Sequence, residues 1–282
     1  MKISIITVNY NDKIGLEKTI NSVVNQSFTG FEFLIIDGNS NDGSKEIIEK
    51  YKSKINYWVS EPDLGIYNAM NKGIKAAKGE FIIFMNAGDS FFDDDVLSKS
   101  NPLLNSNIGI YYGNLIFTVN DKPVKSCIPP TELSFSFFVD FSLPHQASFI
   151  KRELFSKYFL YNEKLKIMSD WEFTIFCICK ENVPYKHLDL FISNYDYSGI
   201  SSSFDNTEKI LKEKEIILKN HFPLFYDDSK DLYLMNSKKF EQIKLIKTNN
   251  FSWKLLKAFI NGLLIFKPKI KTNFSKYYKD IN

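Results

Sequence analysis

Residues Ser60 to Ser90 read SEPDLGIYNAMNKGIKAAKGEFIIFMNAGDS, and this stretch decides the fold. Ile66, Met70, Ile74 and Ala77 recur at helical spacing, whereas Phe81 to Met85 is an unbroken apolar run bounded by Gly79 and Gly88. A short apolar run flanked by turn formers is expected of a strand covered on both faces, so the stretch predicts loop, helix, buried strand and acidic turn. Asp89 then falls just past the carboxyl end of a central strand, where open α/β sheets bind their ligands.

The same alternation holds upstream. Ile3 to Val8 and Phe31 to Ile36 predict strands, a helix carries Leu16, Ile20, Val23 and Val24, another runs near Ser44 to Tyr51, and Ile55 to Val59 predicts a third strand. Alternation of this kind gives an α/β fold with a mostly parallel central sheet flanked by helices. A dinucleotide-binding Rossmann domain would need a glycine cluster at the first turn. Here strand 1 runs into Thr7-Val8-Asn9-Tyr10-Asn11-Asp12, with no loop on which a pyrophosphate could lie close.

Downstream, Gly109 to about Pro144 is aromatic and irregular, with a strand pair expected around Ile110 to Val119. A second region opens at LPHQASFIKRELF, Leu143 to Phe155. Ser169 to Lys180, SDWEFTIFCICK, predicts a helix with Ser169 as N-cap and with Asp170 and Glu172 in its first turn. Asp93, Asp94 and Asp95 read as a further helix start. Beyond Ser203 the chain reads as helical and lysine-rich.

A chain of 282 residues, 44% apolar and 16% aromatic, can bury a sizeable core, which argues against disorder. Its net charge of +3 is too small to argue for nucleic acid. The charge is uneven, however: between Lys238 and Lys279 eleven lysines stand against one acid, Glu241. Cys127, Cys177 and Cys179 give an odd count without paired spacing, so neither a disulfide framework nor a zinc site is indicated. The opening MKISIITVNY is too short an apolar run for a signal peptide, and no segment approaches the ~20 apolar residues that cross a bilayer. A cytoplasmic setting is the expectation.

Four patches, in order, carry a family likeness: ISIITVNYND at 3–12, IIDGNSNDGS at 35–44, the block from Ser60 to Asp89, and PHQASF with SDWEF at 144–149 and 169–173. In these the chain resembles the inverting family-2 glycosyltransferases of GT-A fold, the bacterial kind that builds cell-surface polysaccharide. The likeness covers roughly Lys2 to Ser203. It implies a catalytic domain at 1–204, with a nucleotide-binding half at 1–95 and an acceptor-binding half at 96–204, followed by a helical, lysine-rich region at 205–282.

The implied reaction moves a sugar, with inversion, from a nucleotide-diphosphate donor, expected to be a UDP-sugar, to a hydroxyl on a saccharide or polyprenyl-linked saccharide. Capsule, O-antigen and exopolysaccharide synthesis are the processes such enzymes serve. Thr7, Asn9 and Tyr10 would meet the nucleotide, and Asp37 would accept hydrogen bonds from ribose or base. Relatives often carry a second acid after Asp37 where this chain has Gly38. Asp63, with Asn68 and Asn71 a helical turn apart beyond it, is the better candidate of those three for base or ribose.

The family's Asp-x-Asp signature is replaced by Asn86-Ala87-Gly88-Asp89, leaving Asp89 as the metal ligand for Mg²⁺ or Mn²⁺, with Asn86 able to offer a carbonyl oxygen or to bond the sugar. Asp170 matches the family's general base, which takes the acceptor proton while the cation absorbs charge on the departing phosphate. Glu172 is the alternative, expected to face elsewhere. His145 and Trp171 are candidate substrate contacts, the first through its imidazole and the second as a stacking wall.

Asp196 to Ser201 resembles the family's flexible segment after the catalytic helix, with Gly199 as hinge. In the tail, Trp253, Leu256, Phe259, Ile260, Leu263, Leu264 and Phe266 interleave with Lys254, Lys257, Lys267, Lys269 and Lys271, a pattern that suits an anionic membrane surface or packing on the catalytic domain. Peripheral association with the inner face of the cell membrane follows as an expectation. The rival to an enzyme is a nucleotide-sugar-binding scaffold with decayed catalytic sites. Asp170 argues against it. A pyrophosphorylase-type nucleotidyltransferase would want a glycine-rich loop with Arg and Lys after strand 1, and none is there.

Overall fold

The computed structural model describes residues 2–196 and 206–265. The flexible segment expected after Asp196 and the lysines beyond Ile265 lie outside the described residues. Contacts divide the chain into two compact units, Met1–Ser229 and Lys230–Asn282.

In the first unit β1 (Ile3–Asn9), α1 (Lys13–Val24), β2 (Phe31–Asp37), α2 (Ser44–Lys50), β3 (Tyr57–Ser60), α3 (Ile66–Ala76) and β4 (Phe81–Phe84) alternate as the sequence predicts. They form a parallel sheet in the order β3-β2-β1-β4. After β5 (Ser90–Phe91) and α4 (Val96–Ser100) come β6 (Ile110–Val119), β7 (Lys122–Cys127), α5 (Phe135–Asp140), β8 (Ser148–Lys151), α6 (Glu153–Lys157), α7 (Ser169–Ile175), β9 (Tyr185–Asp196) and α8 (Thr207–His221). These strands extend the sheet as β4-β8-β6-β9-β5, with β7 beside β6. Because β8 runs antiparallel to both β4 and β6, the nine-stranded sheet is mixed rather than parallel throughout.

Two apolar layers sandwich this sheet, and strand alternation sorts the residues between them. Ile6, Val8, Leu34, Ile36, Ile82 and Phe84 face the layer that includes α3 and α7, while Ile3, Ile5, Phe33, Ile35, Phe81 and Ile83 face the layer that includes α1 and α2. Gly73 lets α3 lie close to the sheet: a Cβ there would sit 2.5 Å from the Ile6 side chain. The buried face of α3 is turned by one residue from expectation. Ile66 is 43% exposed and Tyr67 is 5% exposed, since either residue completes the spacing with Met70 and Ile74. Ser169 is likewise the first residue of α7 and not its cap, because its hydroxyl accepts the Asn162 N–H instead.

Helix α9 (Tyr226–Met235) carries the chain into the second unit, which holds α10 (Lys238–Lys247) and α11 (Asn250–Leu263). Ser237 caps α10 and Asn249 caps α11, each side chain accepting a backbone N–H three residues on. Phe251, Leu255, Phe259 and Leu263 recur every fourth residue of α11 and are each more than half exposed. Among the described residues no helix is long and apolar enough to cross a membrane.

Candidate active site

The carboxyl ends of β1 and β2 are tied together by Asp37. Its carboxylate, fully buried, accepts from the Asn9 amide (2.8 Å), the Ser40 hydroxyl and backbone N–H (2.9 Å), and the Ser60 hydroxyl of β3. Four donors leave Asp37 little capacity for a ligand, so it shapes the strand ends that carry the neighbouring groups. Asn9 is also buried, and its Oδ1 has no hydrogen-bond partner. Tyr10, two-thirds exposed, stands beside Gly38 and Asp63. A Cβ at Gly38 would lie 2.5 Å from Asp63 Oδ2 and 3.1 Å from the Tyr10 ring, so Asp63 fills the space a second acid after Asp37 would occupy.

The turn after β4 supplies the next group. Gly88 adopts a φ of +94°, a conformation other residues rarely take, and so delivers Asp89 back against the sheet. Asp89 is 3% exposed; its Oδ1 accepts the Asp196 N–H (3.1 Å), and the Gln146 side chain lies beside it. Burial pushes its carboxyl up to about 7, opposed by the charge His145 would carry if protonated and by the Asp196 N–H and the nearby Gln146 side chain, while the Asp196 carboxylate pushes further upward. Around Gly88 the carboxylates of Asp196 and Asp12 come within 3.6 and 3.7 Å of where a Cβ would sit.

A short 3₁₀ turn, His145–Ala147, joins this acid to the other one. While Gln146 reaches Asp89, its neighbour His145 reaches Asp170: Nδ1–H donates to Asp170 Oδ2 (3.2 Å) and Nε2 accepts from the Asn86 amide (3.1 Å). With the amide nitrogen as donor, the neutral ring carries its proton on Nδ1. Asp170 Oδ1 accepts from the hydroxyl of Tyr67 (2.9 Å), a phenol held well above its ordinary value by burial and by the Asp170 charge, so it stays a donor. Asn86, Asp89, His145 and Asp170 thus form one connected group.

Other sequence candidates lie elsewhere. Thr7 is buried and donates to the Met85 carbonyl (2.7 Å), fastening β1 to β4. Asn71 is buried with its amide spent on Tyr161 and Glu163, so it joins α3 to the loop before α7 and does not face a donor pocket. Trp171 is 1% exposed, and its Nε1–H is shared between the carbonyls of Phe138 (2.9 Å) and Phe141 (3.0 Å). A sugar has no access to its faces, so the stacking role is corrected to core packing. Glu172 points to α8, where His221 Nε2 meets its Oε1 at 2.8 Å.

Sequence reasoning passed over Tyr67 and Glu213. Tyr67 reads as an ordinary helix-face aromatic, and its only signal is that a buried tyrosine must find a partner for its hydroxyl. Glu213 lies in a charged helix where an acid normally faces solvent, yet it is 7% exposed and accepts three backbone N–H groups, those of Lys166, Ile167 and Met168, at 2.8 to 3.0 Å.

Comparison with known proteins bears on this arrangement. The family model described as Glycosyl transferase family 2 matches residues 4–126. An uncharacterized glycosyltransferase of Mycobacterium tuberculosis is 33% identical over 177 residues, covering 61% of this chain and 67% of that protein. WfgD of Escherichia coli, a UDP-Glc:alpha-D-GlcNAc-diphosphoundecaprenol beta-1,3-glucosyltransferase, is 27% identical over 135 residues, covering 48% of this chain and 53% of its own. Among solved structures, residues 1–349 of Staphylococcus aureus TarS in complex with UDP-GlcNAc superpose with a TM-score of 0.63 at 19% identity, covering 88% of this chain and 79% of that one. The mannosyltransferase PcManGT of Pyrobaculum calidifontis, in complex with GDP-Man and Mn²⁺, gives 0.62 at 14% identity over 95% and 81%. The matched segment takes in the parallel half-sheet and the turn that ends in Asp89, and the chain belongs to glycosyl transferase family 2, with the GT-A fold.

Proposed function

We propose that the chain transfers a sugar, with inversion, from a UDP-sugar to a hydroxyl of a saccharide or lipid-linked saccharide in bacterial surface polysaccharide synthesis, with Asp170 as general base. The observation that carries this reading is the 3₁₀ turn, in which His145 bonds Asp170 and the adjacent Gln146 lies beside Asp89. Two acids met by consecutive residues of one turn stand near each other, as a displacement at a single carbon requires. The UDP-GlcNAc complex of TarS and the UDP-Glc donor and diphosphoundecaprenol acceptor in WfgD's name favour this donor and acceptor class.

In the reaction the acceptor oxygen bonds to the anomeric carbon, the bond from that carbon to the phosphate oxygen breaks with its electrons leaving on the diphosphate, and the hydroxyl proton passes to Asp170. His145 holds Oδ2 of that carboxylate and Tyr67 holds Oδ1, leaving a lone pair on each oxygen for the proton. Glu172, bound to His221, is turned away from this task. Toward the nucleotide, the exposed ring of Tyr10 with Asp63 beside it offers a stacking surface and an acceptor for a base.

The donor set at the NAGD turn suits a hard cation, Mg²⁺ or Mn²⁺. All its groups are oxygens, Asn86 Oδ1 is a buried acceptor without a partner, and Asp89 is an acid whose charge burial disfavours until a countercharge arrives. Asp89 and Asn86 would hold the ion, which would supply charge neutralisation to the diphosphate. Peripheral membrane binding from the cytoplasmic side belongs to the same reading, supported by the exposed apolar stripe on α11 and the lysines around it. Failure of the full-length protein to sediment with anionic liposomes at low salt would remove that element.

The deciding experiment screens UDP-sugars for binding and for UDP release with Mn²⁺, in wild type, Asp89→Ala and Asp170→Asn. Wild type is expected to bind and turn over, Asp89→Ala to lose metal-dependent binding, and Asp170→Asn to bind with turnover strongly reduced. Undiminished turnover by Asp170→Asn would remove Asp170 from the mechanism.

A further inference from the structure

We propose that Tyr67 is a positioning residue for Asp170, fixing the direction in which that carboxylate faces an incoming hydroxyl. The inference rests on the assignment of Asp170 as base. Tyr67 sits in the first turn of α3, buried, with its ring against Tyr161 at a centroid distance of 5.6 Å. Its hydroxyl lies 2.9 Å from Asp170 Oδ1 and 2.5 Å from the Ile167 carbonyl oxygen.

The surroundings make this hydroxyl a fixed point. On one side α3 grips the loop before α7: the Asn71 amide bonds the Tyr161 backbone through both its nitrogen and its oxygen, and Asn68 and Asn71 both donate to Glu163. On the other side Glu213 of α8 accepts the N–H groups of Lys166, Ile167 and Met168. The peptide whose carbonyl meets Tyr67 is therefore clamped between two helices, and the phenol cannot drift without breaking buried hydrogen bonds.

A carboxylate turns readily about its Cβ–Cγ bond, because that torsion has broad, two-fold minima. One donor leaves the rotation partly free, whereas two donors from different elements, Tyr67 on Oδ1 and His145 on Oδ2, set the plane. The hydroxyl also keeps a partner after proton transfer. While Asp170 is ionised the phenol donates to it; once Asp170 has taken the acceptor proton, the phenol donates to Ile167 and its oxygen can accept from the new carboxyl O–H. The phenol hydroxyl thus keeps an acceptor in both states, its one proton lying toward Asp170 in the first and toward Ile167 in the second.

The test is a double-mutant cycle of Tyr67→Phe and Asp170→Asn, with UDP affinity from calorimetry in the presence of Mn²⁺ and turnover as UDP released from the UDP-sugar that wild type processes. Tyr67→Phe is expected to lower kcat about tenfold or more while leaving UDP affinity and the donor KM unchanged. In the Asp170→Asn background the same change should cost nothing further, because a residue acting through Asp170 has nothing left to position. Glu213→Gln, which weakens the clamp without touching the base, should give a smaller loss of the same type.

Wild-type kcat in Tyr67→Phe, with Asp170→Asn inactive, would overturn the proposal and leave the base assignment standing. Turnover retained by Asp170→Asn would instead overturn that assignment. A Tyr67→Phe protein that fails to fold, loses UDP affinity together with kcat, or loses a further tenfold in the Asp170→Asn background would show that the phenol supports the fold and not the base.

Discussion

The turn that ends in Asp89 and the turn that ends in Asp170 each present one acid, and the protein holds the two in opposite ways. Asp89 is sealed, bonded by a backbone N–H with a glutamine side chain beside it, and pushed toward neutrality by burial. Asp170 keeps part of its side chain open and is held by a phenol and an imidazole. The difference teaches what each site is built to receive. A carboxyl disfavoured as an anion suits a positive partner, while an oriented and partly open carboxylate suits the proton-accepting role proposed for it.

The largest expected effect falls on the open acid. Asp170→Asn should lower turnover by about 10²- to 10⁴-fold with UDP affinity intact, as measured by steady-state UDP release and calorimetry. Equal losses of binding and turnover would break the contrast between the two acids.

Next comes the sealed acid, read through stability. Its folded value of about 7 lies above the ordinary 3.8, so between those values the folded protein keeps a proton the unfolded chain has released. Stability from this group is therefore full below about pH 4, declines as pH rises and is lost above about 7, at about 1.4 kcal/mol per pH unit at most. Urea unfolding in EDTA at pH 5 and pH 8 should show this decline in wild type and not in Asp89→Asn. Added Mn²⁺ should restore wild type at pH 8 and leave the variant unchanged, and a variant equally protected by Mn²⁺ would place the cation elsewhere.

Smaller effects sharpen the same contrast by separating contact from support. Trp171→Phe should cost about 1–3 kcal/mol in unfolding free energy, since one buried and one part-buried carbonyl lose their donor, and should not alter donor affinity. Tyr10→Ala should behave inversely, weakening UDP binding by about tenfold with no change in stability, because its ring is largely exposed and a base stacks on such a face.

How much of this was legible in the sequence follows the same divide. The parallel half-sheet could be read because its strands are continuous apolar runs buried on both faces, and Asp89 could be placed because it ends such a run. Asp170 could be placed by its SDWEF patch. Hidden from view were pairings that join distant segments through buried polar atoms. Glu213 is 43 residues beyond Asp170, in a helix whose charges look solvated, and its burial depends on a loop whose three N–H groups need an acceptor. Trp171 misled for a related reason, since a large aromatic beside the proposed base fits a wall or a core equally well until α5 is seen to cover it. The exchange of Ile66 for Tyr67 shows the limit of periodicity: spacing fixes a helix face only to within a residue.

The adjacency of His145 and Gln146 also has a bearing on how such a chain can diverge. Since a single peptide unit gauges the gap between the two acids, the loops that choose a donor or an acceptor can lengthen, shorten or exchange residues without resetting that gap. Variety in what is joined to what can then rest on an interval measured out by neighbouring residues of the backbone.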